Sequence, residues 1–243
     1  MLGKTGFQNG QLYDAARPSY PDDALRYFSV ALGLDTSMHV LDLGAGSGIF
    51  SRQIRPFVGR VTAVEPSASM RESFRSGNGD MEILEGSDVS IPIDDHSIDA
   101  TFVAQAFHWF DALRALEEIH RVLVPQGGLG LIWNERDESV EWVAELSRAM
   151  QWDTRQPYEA GKDFTDEIAA GPFTSVERVT FTHSQRLSRE GLVQRVLTTS
   201  YISTMEHEER ERLLATVDDV VDQLVEPIIL PYVTTAYTAK ALI

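Results

Sequence analysis

The stretch Asp42-Leu43-Gly44-Ala45-Gly46-Ser47-Gly48 puts an acid ahead of three glycines at alternate positions. Glycines spaced in this way let the backbone turn sharply and approach a ligand with no side chain in between. The acid speaks against a bare phosphate, which a carboxylate in the same cradle repels. It suits a ligand with a cationic or hydroxyl-bearing end. A phosphate-gripping loop needs Gly-Lys-Ser/Thr at its end, and this loop holds no lysine. The dinucleotide fingerprint needs a third glycine three positions after the second; Ile49 stands there. A tight strand-to-helix turn with no ligand is the plain alternative.

A second carboxylate, Glu65, ends the apolar run Val61-Thr62-Ala63-Val64 and precedes Pro66. It lies about 20 residues beyond the first glycine, the distance at which an acid reaches the paired hydroxyls of a ribose. Further on, Ala104-Gln105-Ala106-Phe107-His108-Trp109-Phe110-Asp111 follows another apolar run. Its aromatics can wall off water, and ring faces favour a positive charge. His108 can act as a general base, donate a hydrogen bond to a substrate or serve a structural role. Asp111 is placed to cap the helix that follows.

These groups need a frame. Apolar runs predict strands at 38–43, 60–65, 81–84, 98–103, 128–133, 176–183 and 232–240. Helical spacing predicts helices at 22–32, 48–57, 68–75, 111–123, 138–151, 188–200 and 206–225. Alternation of the two through residue 133 predicts an α/β, doubly wound parallel sheet with its ligand beyond the carboxyl ends of the strands. Residues 1–9 show no periodicity, which predicts a mobile start. The expected organisation is a single domain over 1–243, with a helical cover at 1–34 and acceptor-pocket or lid helices with one strand at 135–230.

The chain has 243 residues, no cysteine and a net charge of −16. Cysteine-based metal sites and disulfides are excluded, and no metal site is expected. The acidic balance argues against nucleic acid and anionic membrane as partners. No apolar run reaches the ~18 residues of a membrane span. A cytoplasmic protein, monomeric or homodimeric, is the expectation.

The acid-x-Gly-x-Gly-x-Gly pattern resembles motif I of the class I S-adenosylmethionine-dependent methyltransferases. Arg121-Val122-Leu123-Val124-Pro125-Gln126-Gly127-Gly128 resembles the turn before their fifth strand, with Gln126 inserted. Tyr13-x-x-x-Arg17-Pro18-x-Tyr20-Pro21, the 105–111 loop and Trp133-Asn134-x-Arg136 are similar to a small-molecule branch that includes trans-aconitate methyltransferase. The resemblance covers about residues 11–135. It implies a Rossmann-like sheet of seven mostly parallel strands, the last antiparallel, with helical additions. It implies that Asp42, Gly44, Ala45, Gly46, Glu65, Pro66, Ala104 and Gln105 hold S-adenosylmethionine, with S-adenosylhomocysteine as product. Tyr13 and Arg17 would meet the methionine end, an arginine being able to grip a carboxylate with two hydrogen bonds. Asp88 would read the adenine with the backbone of Val89, although the family's acid falls one residue earlier, at Ser87. His108, Trp109, Trp133 and Tyr201 are the candidates for binding a small-molecule acceptor, through a carboxylate or hydroxyl oxygen. A non-catalytic cofactor-binding regulator and an NAD-dependent dehydrogenase are the alternative readings.

Overall fold

The computed structural model describes residues 16–155 and 161–243. Tyr13 and the start at 1–9 lie outside the described residues. In chain order the elements are α1 (Asp22–Leu32), β1 (His39–Leu43), α2 (Ile49–Ile54), β2 (Arg60–Val64), α3 (Ala68–Gly77), β3 (Glu82–Leu84) and β4 (Ile98–Ala104). There follow α4 (Ala112–Val122), β5 (Leu123–Arg136), α5 (Glu141–Ala149), α6 (Trp152–Arg155) and α7 (Thr165–Ala169). The chain continues through β6 (Glu177–Leu187), α8 (Arg189–Leu197), α9 (Ser200–Ser203), α10 (His207–Val221) and β7 (Ile228–Lys240).

The strands form one sheet in the order β3-β2-β1-β4-β5-β7-β6. Six are parallel and β7 is antiparallel, as expected. β1 pairs in parallel with β2 on one side and β4 on the other. The strand order reverses between these two neighbours, so the space beyond the ends of β1 and β4 is where such sheets bind ligands.

The described chain divides into two compact units. The sheet unit comprises Ser19–Asn134, Asp163–Phe181 and Thr234–Ile243. Of the described residues, the helical unit comprises 16–18, 135–155, 161–162 and 182–233. The division departs from the expected segments 1–34 and 135–230. α1 belongs to the sheet unit because Leu25, Phe28 and Leu32 are buried in its core. Residues 163–181 belong there too, and Phe164 stacks on Trp133 within it.

In the sheet unit, β1 is buried along Val40–Leu43, the near-continuous apolar pattern of a strand covered on both faces. Phe28, Phe50 and Phe102 meet edge-on or tilted, with ring centroids 5.1–6.2 Å apart. α1 carries Asp22 and Asp23 in its first turn, where negative charge suits the helix dipole. It stops at Gly33, whose φ of 71° takes the left-handed conformation of a helix end.

β5 starts at Leu123, earlier than the expected 128. Ile98 pairs with Leu123, and the register shifts before Ala100 pairs with Gly128. The expected turn at Pro125-Gln126-Gly127 is therefore taken up as an irregularity inside the strand, with Gln126 at a φ of 65°. α6, α7 and α9 have four or five residues each, too few for a helical period to show in sequence. The helical unit has its own core, which includes Val143, Leu146, Leu192, Val196, Leu213, Val217 and Tyr232. Among the described residues no helix is long and apolar enough to cross a membrane.

Candidate cofactor and active site

The glycine loop leaves β1 and enters α2. Gly44, Gly46 and Gly48 all have left-handed φ, at 74°, 56° and 87°, a conformation costly for other residues. Two of the three are also closely packed. A Cβ on Gly44 would stand 2.7 Å from the Ala106 Cβ, and one on Gly48 would stand 2.6 Å from the Asn78 side chain. A Cβ on Gly46 would meet nothing within 4 Å. The middle glycine thus presents bare backbone to open space. The N–H groups of Gly44 and Ala45 donate to the Val64 carbonyl at 2.8 and 3.2 Å, which fastens the turn to the end of β2.

Glu65 follows directly and is 8% exposed. Its Oε2 accepts the Gly46 N–H at 3.0 Å and its Oε1 accepts the Ser67 N–H at 2.8 Å. Each carboxylate oxygen can accept a further bond. Burial pushes the Glu65 carboxyl above its ordinary value, and the two backbone N–H groups oppose that shift. Arg71 holds the Glu65 and Pro66 carbonyls at 2.9 and 2.8 Å and pairs with Glu85 at 2.7 Å. Pro66 is exposed and Ala45 partly so. Sequence reasoning missed Arg71, whose role depends on carbonyls rather than on a motif.

Asp42 lies wholly buried beneath the loop. Ser51, nine residues on, donates to its Oδ2 at 2.5 Å. Its Oδ1 has no hydrogen-bond partner among the described residues. Burial pushes the carboxyl up to about 7; the Ser51 bond opposes the shift and the charge of Glu65 adds to it. Because it is enclosed, Asp42 acts on anything in the loop through its field, and its charge is held back until a positive group favours it.

Asp88 sits in a short turn where Ser87 and Ser90 exchange backbone hydrogen bonds. It is buried, and its Oδ2 accepts the Asp111 N–H at 3.0 Å. Ser87 and Val89 are partly exposed. The Asp88 turn is thereby tied to the loop after β4. In that loop, Ala104 is partly buried and Gln105 has a φ of 59°, a strained conformation of the sort that clusters at functional sites. The Gln105 Nε2 donates to the Asn134 carbonyl at 2.9 Å. Asn134 in turn donates to the Ser19 carbonyl at 3.1 Å and accepts from Thr234 at 2.6 Å.

The 105–111 loop folds over the glycines. Ala106 and Phe110 are the atoms that crowd Gly44. Phe107 is buried and packs edge-on against Phe110 and Phe164, at 5.8 and 5.6 Å. His108 and Trp109 are partly exposed, with rings 4.8 Å apart. Asp111 caps α4 through a long 3.5 Å bond from the Arg114 N–H. Trp133 is 2% exposed and stacks on Phe164 at 4.4 Å, which places it in the core of the sheet unit.

Asp42, Gly44, Ala45, Gly46, Glu65, Asp88 and the 104–111 loop thus belong to one unit and are joined by hydrogen bonds and packing. Arg17 and Tyr201 belong to the helical unit. Arg17 donates to the Thr198 carbonyl at 2.6 Å, and Tyr201 donates to the Met150 carbonyl at 2.7 Å.

Residues 41–131 match the family described as Methyltransferase domain. A methyltransferase of Mycobacterium tuberculosis is 35% identical over 237 residues, covering 93% of this chain and 91% of that one. The chain belongs to the methyltransferase family. The fold is also that of the YcgJ protein of Bacillus subtilis, with a TM-score of 0.61 and 19% identity over 92% of this chain and 100% of that one. The phosphoethanolamine N-methyltransferase 2 of Haemonchus contortus shares the fold at a TM-score of 0.53 and 13% identity, over 91% of this chain and 53% of that one. That protein was solved with phosphomonomethylethanolamine and S-adenosylhomocysteine. The sheet and its glycine loop are those of a class I methyltransferase, and the protein is an enzyme of that class.

Proposed function

We propose that this methyltransferase takes its methyl group from S-adenosylmethionine and passes it to a carboxylate or hydroxyl oxygen of a small molecule. The observation that carries the cofactor reading is the pairing of Gly46 with Glu65. The glycine faces open space, and the carboxylate that holds its N–H keeps one acceptor position on each oxygen. This arrangement fits a ribose beside Glu65 and a ligand backbone-close at Ala45 and Gly46. Asp88 and Val89 would flank the adenine, and the buried charge of Asp42 favours a cationic end. Gln105 and Ala104 shape the loop that covers it.

The bound cofactor supplies a methyl group already activated on a positive sulfur. The chain then has to align an acceptor and exclude water. Phe107, Trp109 and Phe110 are suited to the second task. His108 is suited to the first. It would hold a carboxylate acceptor by a hydrogen bond, since such an acceptor is ionised at neutral pH and needs no base. From a hydroxyl acceptor it would take the proton. The small molecule bound by the Haemonchus contortus enzyme supports a small acceptor as the class.

Isothermal titration with S-adenosylmethionine, S-adenosylhomocysteine and NAD tests the reading. Saturable binding of the first two without NAD is expected. Binding of NAD alone would overturn it in favour of hydride transfer. Cofactor binding with no turnover across a screen of carboxylic acids and alcohols would favour a regulator.

A further inference from the structure

Two arginines of the helical unit, Arg195 buried and Arg136 partly exposed, are held differently from Arg189 of the same unit. Arg136, at the end of β5, directs its Nε and Nη2 to a single acceptor, the Ser147 hydroxyl, at 3.3 and 3.2 Å. Its guanidinium lies 4.4 Å from the centre of the Trp152 ring. Arg195, on α8, is 7% exposed, and its Nε donates to the Tyr232 hydroxyl at 3.2 Å. Tyr232 passes the bond on to Gln185 at 3.2 Å. Neither arginine forms an ion pair with a described residue. A guanidinium carries five N–H donors, so most of the donors on each lack an acceptor among the described residues.

Arg189 of the same unit shows how a structural arginine is satisfied here. It donates to the carbonyls of Val221, Asp222 and Leu224 and pairs with the Asp222 carboxylate at 2.8 Å. The contrast is sharp in a chain of net charge −16, which has acids to spare. The groups that act on Arg136 are, in order, Arg195, Tyr232, Tyr201 and Glu138. The two arginines meet through β7: the Asp137 N–H, next to Arg136, donates to the Pro231 carbonyl at 3.0 Å, and the following residue, Tyr232, is the one Arg195 holds. Burial first, and then Arg195, push the Arg136 guanidinium down from its ordinary value. Glu138 is the one carboxylate that acts on Arg136 and comes last among those groups, while Glu135 is engaged with the Gly161 N–H and Asp137 with Ser139. Two cations with so little counter-charge beside them favour an anion between them. The fork of an arginine matches a carboxylate or phosphate. One turn beyond Arg195, the buried Thr199 hydroxyl has no hydrogen-bond partner among the described residues.

We infer that Arg136 and Arg195 form a binding site for a compact anion, a carboxylate or a phosphate, with Ser147, Trp152 and Tyr232 fixing the two guanidinium groups. As an anion site it stands on the residues of this unit.

The test is isothermal titration of the full chain with inorganic phosphate, succinate and citrate at fixed ionic strength, and separately with S-adenosylhomocysteine. Saturable binding of at least one anion is expected. Arg136→Gln and Arg195→Gln should each weaken it about 10- to 100-fold, the loss of charge-assisted hydrogen bonds. Arg212→Gln, which removes the same charge from an exposed site, should not. Circular dichroism checks the fold. If Arg195→Gln does not fold, Arg195→Lys keeps the charge and should still weaken binding by losing the fork. The inference is overturned if none of the three anions binds, or if Arg212→Gln matches the loss in the other two. Anion binding without S-adenosylhomocysteine binding would sink the cofactor reading alone, and the reverse result would sink the anion site alone.

Discussion

Alanine at Gly44 meets two obstacles, and alanine at Gly46 meets one. At Gly44 a φ of 74° costs an L-residue about 1–2 kcal/mol. The new methyl would also stand 2.7 Å from the Ala106 Cβ and 3.4 Å from the Phe110 ring. Carbon pairs rest at about 3.5–4.0 Å, so the 105–111 loop must shift, at an overpacking cost of about 1–3 kcal/mol. Together these give about 2–5 kcal/mol. For a chain of this size that lowers the melting temperature by about 4–20 °C. At Gly46 the φ of 56° carries the same backbone cost, but the methyl enters open space. Gly46→Ala should therefore melt about 2–8 °C low, while binding S-adenosylhomocysteine at least about tenfold more weakly, because the methyl fills the face the ligand needs. Melting followed by circular dichroism and titration calorimetry on both variants separate the effects. Gly44→Ala melting no lower than Gly46→Ala would refute the packing of the aromatic loop on the turn. Unchanged affinity in Gly46→Ala would refute the open face as the ligand's path.

Glu65→Ala should weaken S-adenosylmethionine binding by about 100-fold or more, as two hydrogen bonds to a charged acceptor are lost; titration at wild-type affinity would remove Glu65 from the ribose. Asp42 should make stability and binding depend on pH. Its folded value, about 7, lies above the ordinary value of 3.8, so its contribution is full below about pH 4 and is lost as pH rises through about 7. Asp42→Asn should therefore gain stability relative to the wild type between those limits, and cofactor affinity in the wild type should fall as pH drops from 8 to 6; parallel melting profiles of the two proteins would contradict this. His108→Ala should lower turnover and leave cofactor affinity nearly intact, and loss of cofactor binding in that variant would show that the 105–111 loop serves the cofactor instead.

The glycine loop was legible because its requirement is local. Left-handed turns and bare backbone can be met by few residue types, so the spacing of Gly44, Gly46 and Gly48 reports the geometry directly. β1 and α1 were legible for a similar reason, since burial on known faces writes a period into the chain. The opposite held where partners are far apart in sequence. Nothing near Asp88 signals that it accepts the Asp111 N–H, and nothing near Gln105 signals Asn134. Pro125-Gln126-Gly127 has turn composition, yet it lies inside β5 because a register shift in the pairing with β4 absorbs it. Trp133 looks like a pocket wall by type and position, but its exposure is decided by Phe164, thirty-one residues away and joined to it by packing alone. The pairing of Arg136 with Arg195 leaves no local pattern either.

The place of β7 in the sheet bears on how the protein is made. This strand follows all the others in the chain, yet it lies between β5 and β6. During synthesis β5 and β6 emerge first, and the strand that joins them arrives afterwards. Until residues 228–240 leave the ribosome, the side of β5 that will receive β7 is an unpaired edge, the kind of surface that recruits other chains. Closing it requires contacts of long sequence separation, which form slowly. The interval between the exit of β5 and the exit of β7 is therefore the vulnerable stage of this protein's life, and translation speed through that interval bears on yield independently of how stable the finished fold is.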